Sequence, residues 1–204
     1  GLPEHAFVMC CFNNNYKIGP REAAMWKELL HNIDKSILWL LGSNEEAQKN
    51  LLAHFERAGI SNDRVIFRKP LPHSLHLASM RLADIFLDTF TVNAHTSCSD
   101  ALWAGIPVVT KLGNQFAARV ASSLLAALEL DELIAKDEEE YLKIVISLSQ
   151  DIAKISSLKA RVKTNAAHKA LFDTTKFTNY LEKAFGRILT DHVHARPSPD
   201  LYVA

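Results

Sequence analysis

The sequence predicts an α/β fold in which helices pack on both faces of a parallel β-sheet. Two observations support this prediction. Short apolar runs and segments of helical periodicity alternate about six times along the 204 residues. The apolar runs are almost uninterrupted, which is typical of strands that are buried on both sides. Because crossovers between parallel strands are right-handed, this order gives a doubly wound, Rossmann-like sheet.

Four strands and three helices are predicted in the first half of the chain. The first helix begins at Pro20, a residue type favoured in the first helical turn. The second helix covers residues 44–58 and ends before Gly59, and a short third helix ends near Leu82. The strands are the apolar runs at residues 6–12, 36–41, 64–67 and 84–88.

The second half of the chain is organised around residues 93–107. A helix is predicted to begin near Ser97, because Asp100 three positions later fits a capping box, and to end at Gly105. An alanine-rich, largely buried helix is expected over residues 116–128. The remaining predicted elements are strands at residues 107–110 and 133–135 and helices at residues 137–148, 157–168 and 175–189.

These elements assign residues 1–190 to one Rossmann-like domain with C-terminal helices. Residues 191–204 show no period and are predicted to form an extended tail. A domain of this size buries about 70% of its unfolded surface, so it needs no disulfide bonds. The first apolar run follows Gly1 within a few residues, so we expect the chain to be part of a longer protein.

Composition argues against several classes of protein. Lysine and arginine total 23, as do aspartate and glutamate, so the chain lacks the basic character of a nucleic-acid binder. No apolar run approaches 18 residues, so no membrane span is expected. Cys10, Cys11 and Cys98 form neither a disulfide framework nor a zinc-ligand spacing, and they suit a reducing compartment. We therefore expect a cytoplasmic protein.

The predicted ligand site lies at the carboxyl ends of the strands, where doubly wound sheets bind their ligands. Four loops are expected there: residues 13–17, the loop after Phe67, residues 93–100 and residues 112–115. A strand that leads into a helix leaves free backbone N–H groups and the positive end of the helix dipole, which together attract anions. His95, Thr96 and Ser97 add polar side chains at this point.

Each other candidate side chain has both a functional and a structural explanation. Lys17 can meet a phosphate as a point charge or remain a solvated loop lysine. Asn14 can bind a ligand or cap a turn, and His73 and His76 can contact a base or lie on the surface. Asp100 can accept hydrogen bonds from ribose hydroxyls or complete the capping box. No nucleophile–base pair or glycosidase-like carboxylate pair appears, so the pattern favours binding of a phosphorylated, nucleoside-like ligand.

Several stretches taken together resemble the C-terminal catalytic half of the O-linked N-acetylglucosamine transferases, glycosyltransferase family 41. The resemblance runs in order and with natural spacing from about Phe7 to Leu189, and the overall pattern indicates a bacterial member. No single motif is specific, but their combination is. The matching stretches are residues 12–17 (FNNNYK), 37–41 (ILWLL), 82–89 (LADIFLDT), 93–107 and 117–121 (AARVA).

The resemblance implies a GT-B glycosyltransferase, in which two Rossmann-like domains face each other and the C-terminal one binds the nucleotide-sugar. It implies that Lys17, the catalytic residue of this half, contacts the diphosphate. Asn14 stands where animal members have glutamine, and His76 matches a histidine that packs on uracil. The resemblance also places Leu71 among the residues that bind the UDP-sugar.

The same resemblance assigns His95, Thr96 and Ser97 to the turn that binds the diphosphate, and Asp100 to the ribose. Two positions depart from the animal pattern. His73, which we include in the substrate-binding set, replaces a lysine near the ribose. Ser79 stands where animal members have an arginine near the base.

The implied function is transfer of N-acetylglucosamine from UDP-GlcNAc to serine or threonine of a protein, with inversion. The protein acceptor would be held by an N-terminal half and helical repeats that lie outside these residues, so this chain alone is expected to bind but not to transfer. The UDP-sugar is a substrate, and neither a cofactor nor a metal is expected. Two alternatives stay open: a cytoplasmic N-glycosyltransferase that places glucose from UDP-glucose on asparagine, and a UDP-sugar-binding module without catalysis.

Overall fold

A computed structural model describes residues 1–194 of the chain. The strands are β1 (Phe7–Cys11), β2 (Ser36–Leu41), β3 (Val65–Arg68), β4 (Ile85–Leu87), β5 (Val108–Lys111) and β6 (Ile134–Ala135). The α-helices are α1 (Pro20–Asn32), α2 (Glu45–Arg57), α3 (His73–Met80), α4 (Thr96–Ala104), α5 (Val120–Ala127), α6 (Glu138–Ser149), α7 (Ile152–His168) and α8 (Thr174–Val193).

The six strands form one parallel sheet in the order β3-β2-β1-β4-β5-β6. The order runs outward from β1 to β3 and then starts again on the other side of β1 with β4. This is the doubly wound, Rossmann-like arrangement that the sequence predicts. The crevice at its switch point lies between the carboxyl ends of β1 and β4, where ligands bind in such sheets.

Adjacent cysteines in β1 show that both faces of the sheet are covered. Neighbouring residues in a strand point to opposite faces. Cys10 lies toward Lys159 of α7, whereas Cys11 lies toward Glu22 of α1. Both cysteines have no exposed surface, and burial raises the pKa of the Cys11 thiol to about 12 and that of Cys10 well above its usual value. The helices therefore shield both sides of the central strand.

The core forms where helical periodicity aligns apolar residues against the sheet. In α1, Trp26, Leu29 and Leu30 have no exposed surface, and in α6 the same holds for Tyr141 and Val145. Burying one such side chain stabilises the fold by roughly 1.5–3 kcal/mol. The strands and the packed faces of these helices therefore hold the carboxyl-terminal edge of the sheet on a rigid base.

The capping box predicted for the helix of residues 97–105 is wrong. The helix begins at Thr96, with His95 as its N-cap and no side-chain cap bond. Ser97 already lies inside the helix, because the backbone is fixed just upstream, where the Ala94 N–H donates to Asp88 at 2.6 Å. The predicted end is confirmed: Gly105 has a φ of 85°, a left-handed conformation that glycine adopts without strain.

The continuous helix predicted over residues 116–128 is also wrong. Phe116–Ala118 form a 3-10 turn, and α5 begins only at Val120. The carbonyl groups of Ala117 and Ala118 accept hydrogen bonds from the N–H groups of Asn93 and Gly113, at 2.8 and 2.9 Å. These hydrogen bonds to other loops replace the intrahelical bonds that would extend α5 toward its N-terminus. Phe116, which was predicted to lie in a largely buried helix, is 83% exposed.

Two helix ends near the C-terminus differ from prediction. Helix α7 begins five residues before residue 157, because the Asp151 side chain caps it by accepting from the Lys154 N–H at 2.9 Å. Helix α8 continues to Val193 and so includes the first residues of the predicted tail. Residues 195–204, the rest of that tail, lie outside the described residues. Among residues 1–194, no helix combines the length and apolarity needed to cross a bilayer.

Candidate functional site

Lys17 joins the two loops that flank the switch point of the sheet. It ends a short 3-10 turn (Asn15–Lys17) that follows β1. Its Nζ donates a hydrogen bond of 2.8 Å to the backbone carbonyl of Asn93, in the loop after β4. A lysine ammonium has three N–H donors, so this bond fixes the side chain and leaves donors for a ligand. The lysine is thus held at the crevice rather than fully solvated.

A buried polar network supports these two loops from below. Asn13 donates to the Thr89 hydroxyl at 2.9 Å, and Asn93 donates to the Thr89 carbonyl at 2.7 Å. Glu22 accepts from the Phe90 N–H at 2.9 Å and also holds the N–H of Gly19 at 2.9 Å. Sequence patterns did not reveal this network, because short polar residues after a strand look like ordinary turn formers.

Asp88 holds the backbone directly before the predicted anion site. One carboxylate oxygen accepts from the N–H groups of Thr89 and Ala94, at 2.8 and 2.6 Å, and the other accepts from the Thr110 hydroxyl at 2.6 Å. Desolvation by burial raises the pKa of Asp88 to about 7, although these three donors act in the opposite direction. The carboxyl group therefore fixes the approach to α4 while its charge depends on pH.

The predicted anion site lies at the N-terminus of α4, and its role stays a prediction. The first N–H groups of a helix, here those of Thr96 and Ser97, have no intrahelical acceptor and carry the positive end of the dipole. The His95 ring is held in place because its Nε2 donates to the Ala117 carbonyl at 3.2 Å. This helix end lies in the chain directly after Asn93, whose carbonyl anchors Lys17. The arrangement therefore offers a fixed lysine and free backbone donors to one anion.

Asp100, one turn further along α4, connects this helix to α3. Its Oδ1 lies 3.0 Å from Nε2 of His73, and its Oδ2 lies 3.9 Å from Nε2 of His76. The His73 side chain is 68% exposed, whereas that of His76 is only 17% exposed. Burial and the nearby Arg68 guanidinium lower the pKa of His76. The carboxylate of Asp100 thus faces two histidines instead of capping its own helix.

The two remaining predicted site residues lie at the margin of this edge. Asn14 is exposed, and its backbone carbonyl accepts from the Lys17 N–H at 3.0 Å, which closes the turn after β1. Leu71 is 41% exposed in the loop before α3. The fold thus brings the predicted residues to one sheet edge in two groups, one around Lys17 and the start of α4, and one around Asp100. Their roles in binding stay predictions.

The fold and this edge define a Rossmann-like α/β domain with the N-terminus of a helix at its switch point. Comparison with known proteins gives the family. The model of the family described as Glycosyl transferase family 41 matches residues 1–181. The chain belongs to glycosyl transferase family 41, which confirms the resemblance found in the sequence. A bacterial origin stays a prediction.

Two curated relatives match most of the chain. A UDP-N-acetylglucosamine–peptide N-acetylglucosaminyltransferase of Caenorhabditis elegans is 35% identical over 187 residues, which is 92% of this chain and 16% of that protein. A probable enzyme of the same description, SEC of Arabidopsis thaliana, is 33% identical over 193 residues, which is 94% of this chain and 20% of that protein. The chain therefore spans a fifth or less of the length of these relatives.

Solved structures agree with the fold. A mutant O-GlcNAc transferase of Thermobaculum terrenum superposes with a TM-score of 0.84 at 30% identity, over 90% of this chain and 36% of that one. An Anabaena protein solved with UDP and glucose has a TM-score of 0.65 at 16% identity, over 89% of this chain and 48% of that one. The second likeness supports the fold alone.

Proposed function

We propose that this chain is the donor-binding half of a protein glycosyltransferase that moves N-acetylglucosamine from UDP-GlcNAc to serine or threonine. The observation that carries the proposal is the bond from Lys17 to the Asn93 carbonyl, next to the N-terminus of α4. A lysine held there places its charge beside free helix donors, which suits a diphosphate. The peptide N-acetylglucosaminyltransferase relatives support the choice of donor and acceptor.

In this proposal, the chain stabilises the leaving group. The acceptor oxygen attacks the anomeric carbon of the sugar, the bond from that carbon to the β-phosphate oxygen breaks, and the configuration inverts. The acceptor proton passes to a base outside this chain, and negative charge develops on UDP. Lys17 and the N–H groups of Thr96 and Ser97 are aimed at that charge. Each such donor contributes about 2.7–4 kcal/mol, by analogy with oxyanion-hole donors.

The nucleoside half of the donor is assigned to the second group of residues. His76 is half-buried beside Asp100, so an aromatic ring and a carboxylate face the same space. We assign the ring to the uracil and Asp100 to the ribose hydroxyls, with His73 next to the ribose. Leu71 and Asn14 are exposed at the margin of this edge, where they can border the bound nucleotide.

The proposal extends to partners and location. The protein acceptor would be bound by an N-terminal half and helical repeats outside this chain, and the complete enzyme would act in the cytoplasm. We expect no metal, since Lys17 and the α4 helix end neutralise the leaving diphosphate in place of Mg²⁺. In the described part of the chain, no three His, Cys, Asp or Glu side chains cluster closely enough to hold a metal ion.

Titration with UDP tests the proposal on the chain itself. We expect the chain to fold alone, because its sheet has its own core, and to bind UDP weakly. Amide chemical shifts should change at Lys17, at His76 and from His95 to Asp100. Lys17→Ala should abolish these changes, whereas Lys49→Ala, at an exposed position on α2, should not. No shifts at millimolar UDP would contradict the binding site.

A sugar-transfer assay separates the alternatives. With radiolabelled UDP-GlcNAc or UDP-glucose and peptide acceptors, the chain alone should transfer nothing, because we find no group among residues 1–194 that would position an acceptor hydroxyl within reach of the sugar carbon. Transfer by this fragment would contradict the half-enzyme interpretation. In the full-length protein, transfer of glucose to asparagine would favour the N-glycosyltransferase alternative. UDP binding by the full-length protein without any sugar transfer would favour the non-catalytic module.

A further inference from the structure

Arg68, the last residue of β3, is enclosed beside the proposed nucleoside site. Its guanidinium carbon lies 4.0 Å from the centre of the Phe12 ring and 5.5 Å from that of Trp39. Its Nη2 donates a hydrogen bond to Nδ1 of His76. The Nε and Nη1 atoms are buried and have no hydrogen-bond partner among residues 1–194. Within those residues, Arg68 also forms no ion pair with an acidic side chain.

Such a cation is costly for the fold. Burial disfavours the charged form, and it lowers the pKa of Arg68. Stacking on Phe12 and Trp39 offsets part of this cost, but an apolar side chain of similar length would fill the same space without leaving buried donors unpaired. Stability therefore does not account for a cation at this position, and its role lies in the hydrogen bond to His76.

The bond from Arg68 fixes the proton of the His76 ring. A guanidinium can only donate hydrogen bonds, so Nδ1 of His76 must be an acceptor. In the neutral ring the proton then lies on Nε2, the atom that faces Asp100 at 3.9 Å. This distance exceeds that of a hydrogen bond, so the Nε2–H group remains free to donate to a ligand. The edge of the ring also packs against Phe12, with centroids 5.5 Å apart at 65°.

We propose that Arg68 is a positioning residue that holds His76 as a neutral ring with its proton on Nε2, directed at the bound nucleotide. This inference rests on the proposed function for the identity of the ligand. The charged or titratable groups that face His76 are Arg68 from β3, His73 from its own helix and Asp100 from α4. Burial, Arg68 and His73 oppose protonation of the ring, and only Asp100 favours it.

The consequence concerns Asp100 as well as His76. A protonated His76 would attract the Asp100 carboxylate and occupy an acceptor that the ribose needs. By keeping the ring neutral, Arg68 leaves the carboxylate available to the ligand. Removal of the guanidinium should therefore make nucleotide binding sensitive to pH in the range where histidine titrates.

The test compares Arg68→Met with Arg81→Met, a matched control at an exposed arginine directly after α3. Imidazole ¹⁵N shifts of the UDP-free protein report the tautomer and pKa of His76. In the wild type and the control, we expect the proton on Nε2 and a ring that stays neutral to a lower pH than a free histidine does. In Arg68→Met, the tautomers should mix and the pKa should rise. UDP affinity should fall about tenfold below pH 6.5, the scale of one lost hydrogen bond to a charged group.

The outcomes are distinguishable. A proton on Nδ1 in the wild type overturns the proposal without any variant. An unchanged tautomer and pKa in Arg68→Met, or unchanged UDP affinity despite a changed tautomer, overturns it as well. A melting temperature of Arg68→Met well below that of Arg81→Met would indicate a structural role instead. If the wild type shows the expected tautomer but binds no UDP, the proposed function is contradicted. The nucleotide would then also be the wrong ligand for His76.

Discussion

The two groups of residues at the proposed ligand-binding edge, one around Lys17 and the start of α4 and the other around Asp100, differ in how firmly they are held. The residues around Lys17 rest on a buried polar network, in which Asp88 accepts three hydrogen bonds and the Asn93 carbonyl accepts one from Lys17. The residues around Asp100 depend on side chains of the short helix α3, where His73 is mostly exposed. The residues around Lys17 are therefore held more firmly than those around Asp100. Under the proposed function, the diphosphate side of the site is preorganised, whereas the nucleoside side can adjust.

The largest expected effect concerns Asp88, in the buried polar network beneath the residues around Lys17. The folded-state pKa of Asp88, about 7, lies above its usual value of 3.8, so the folded protein keeps a proton that the unfolded chain releases between these values. The free energy of unfolding should therefore fall as pH rises from 4 to 7, by up to about 4 kcal/mol.

Asp88→Asn separates this contribution from the rest of the protein. The amide keeps an acceptor for the Thr89 and Ala94 N–H groups but cannot titrate. Urea unfolding between pH 4 and 8 should show a weaker pH dependence for Asp88→Asn than for the wild type. Asp34→Asn, at an exposed aspartate, serves as the control. Parallel pH curves for the wild type and Asp88→Asn would show that the hydrogen bonds keep the carboxylate ionised.

The second expected effect concerns Lys17 in the full-length enzyme. Lys17→Ala should lower turnover by roughly 100- to 1,000-fold, the scale for removing one preorganised donor from a developing charge. Stability should change by only about 1 kcal/mol, because one hydrogen bond to the Asn93 carbonyl is lost. Steady-state kinetics and urea unfolding, with Lys49→Ala as the control, measure both quantities. Turnover within a few-fold of wild type would leave Lys17 with a structural role alone.

The third and smallest expected effect concerns the residues around Asp100. If Asp100 binds ribose, Asp100→Asn should weaken UDP binding by about 1.5–3 kcal/mol, the worth of a hydrogen bond to a charged group. His73→Gln should change affinity less, because the mostly exposed His73 can be replaced by water. Calorimetric titration with UDP, at equal folded fraction, measures the loss of affinity in each of the two variants. Equal losses for both variants would mean that the pair from His73 to Asp100 acts as one unit and is as preorganised as the Lys17 side.

Sequence periodicity predicted the sheet and most helices because burial on both faces leaves a local pattern. The errors arose where distant loops bind each other: the carbonyls of Ala117 and Ala118 are bound by Asn93 and Gly113, and no local pattern encodes such pairs. The site shows the same division. Lys17 follows a strand in the sequence, so its place at the edge was predictable.

Other site residues carried no signal in the sequence. Asp88 and Asn93 resemble turn residues, and only the structure shows that they are buried and connected. Arg68 at the end of a strand looks like a solvated charge, yet its guanidinium packs against the adjacent rings of Phe12 and Trp39. The capping role that the spacing of Asp100 suggested is wrong, because His95 and not Ser97 is the N-cap of the helix and the Asp100 side chain turns to His73. Its role in ribose binding stays a prediction.

The buried thiols give the domain a built-in chemical reporter. Cys10, Cys11 and Cys98 are the three cysteines of the chain, and none has exposed surface. Because burial also raises their pKa values, the reactive thiolate is scarce while the sheet stays closed. Alkylating reagents should therefore modify this domain only at the rate at which it opens. Cys10 and Cys11 lie on opposite faces of one strand, so their separate alkylation rates would report the opening rate of the helical layer on each face.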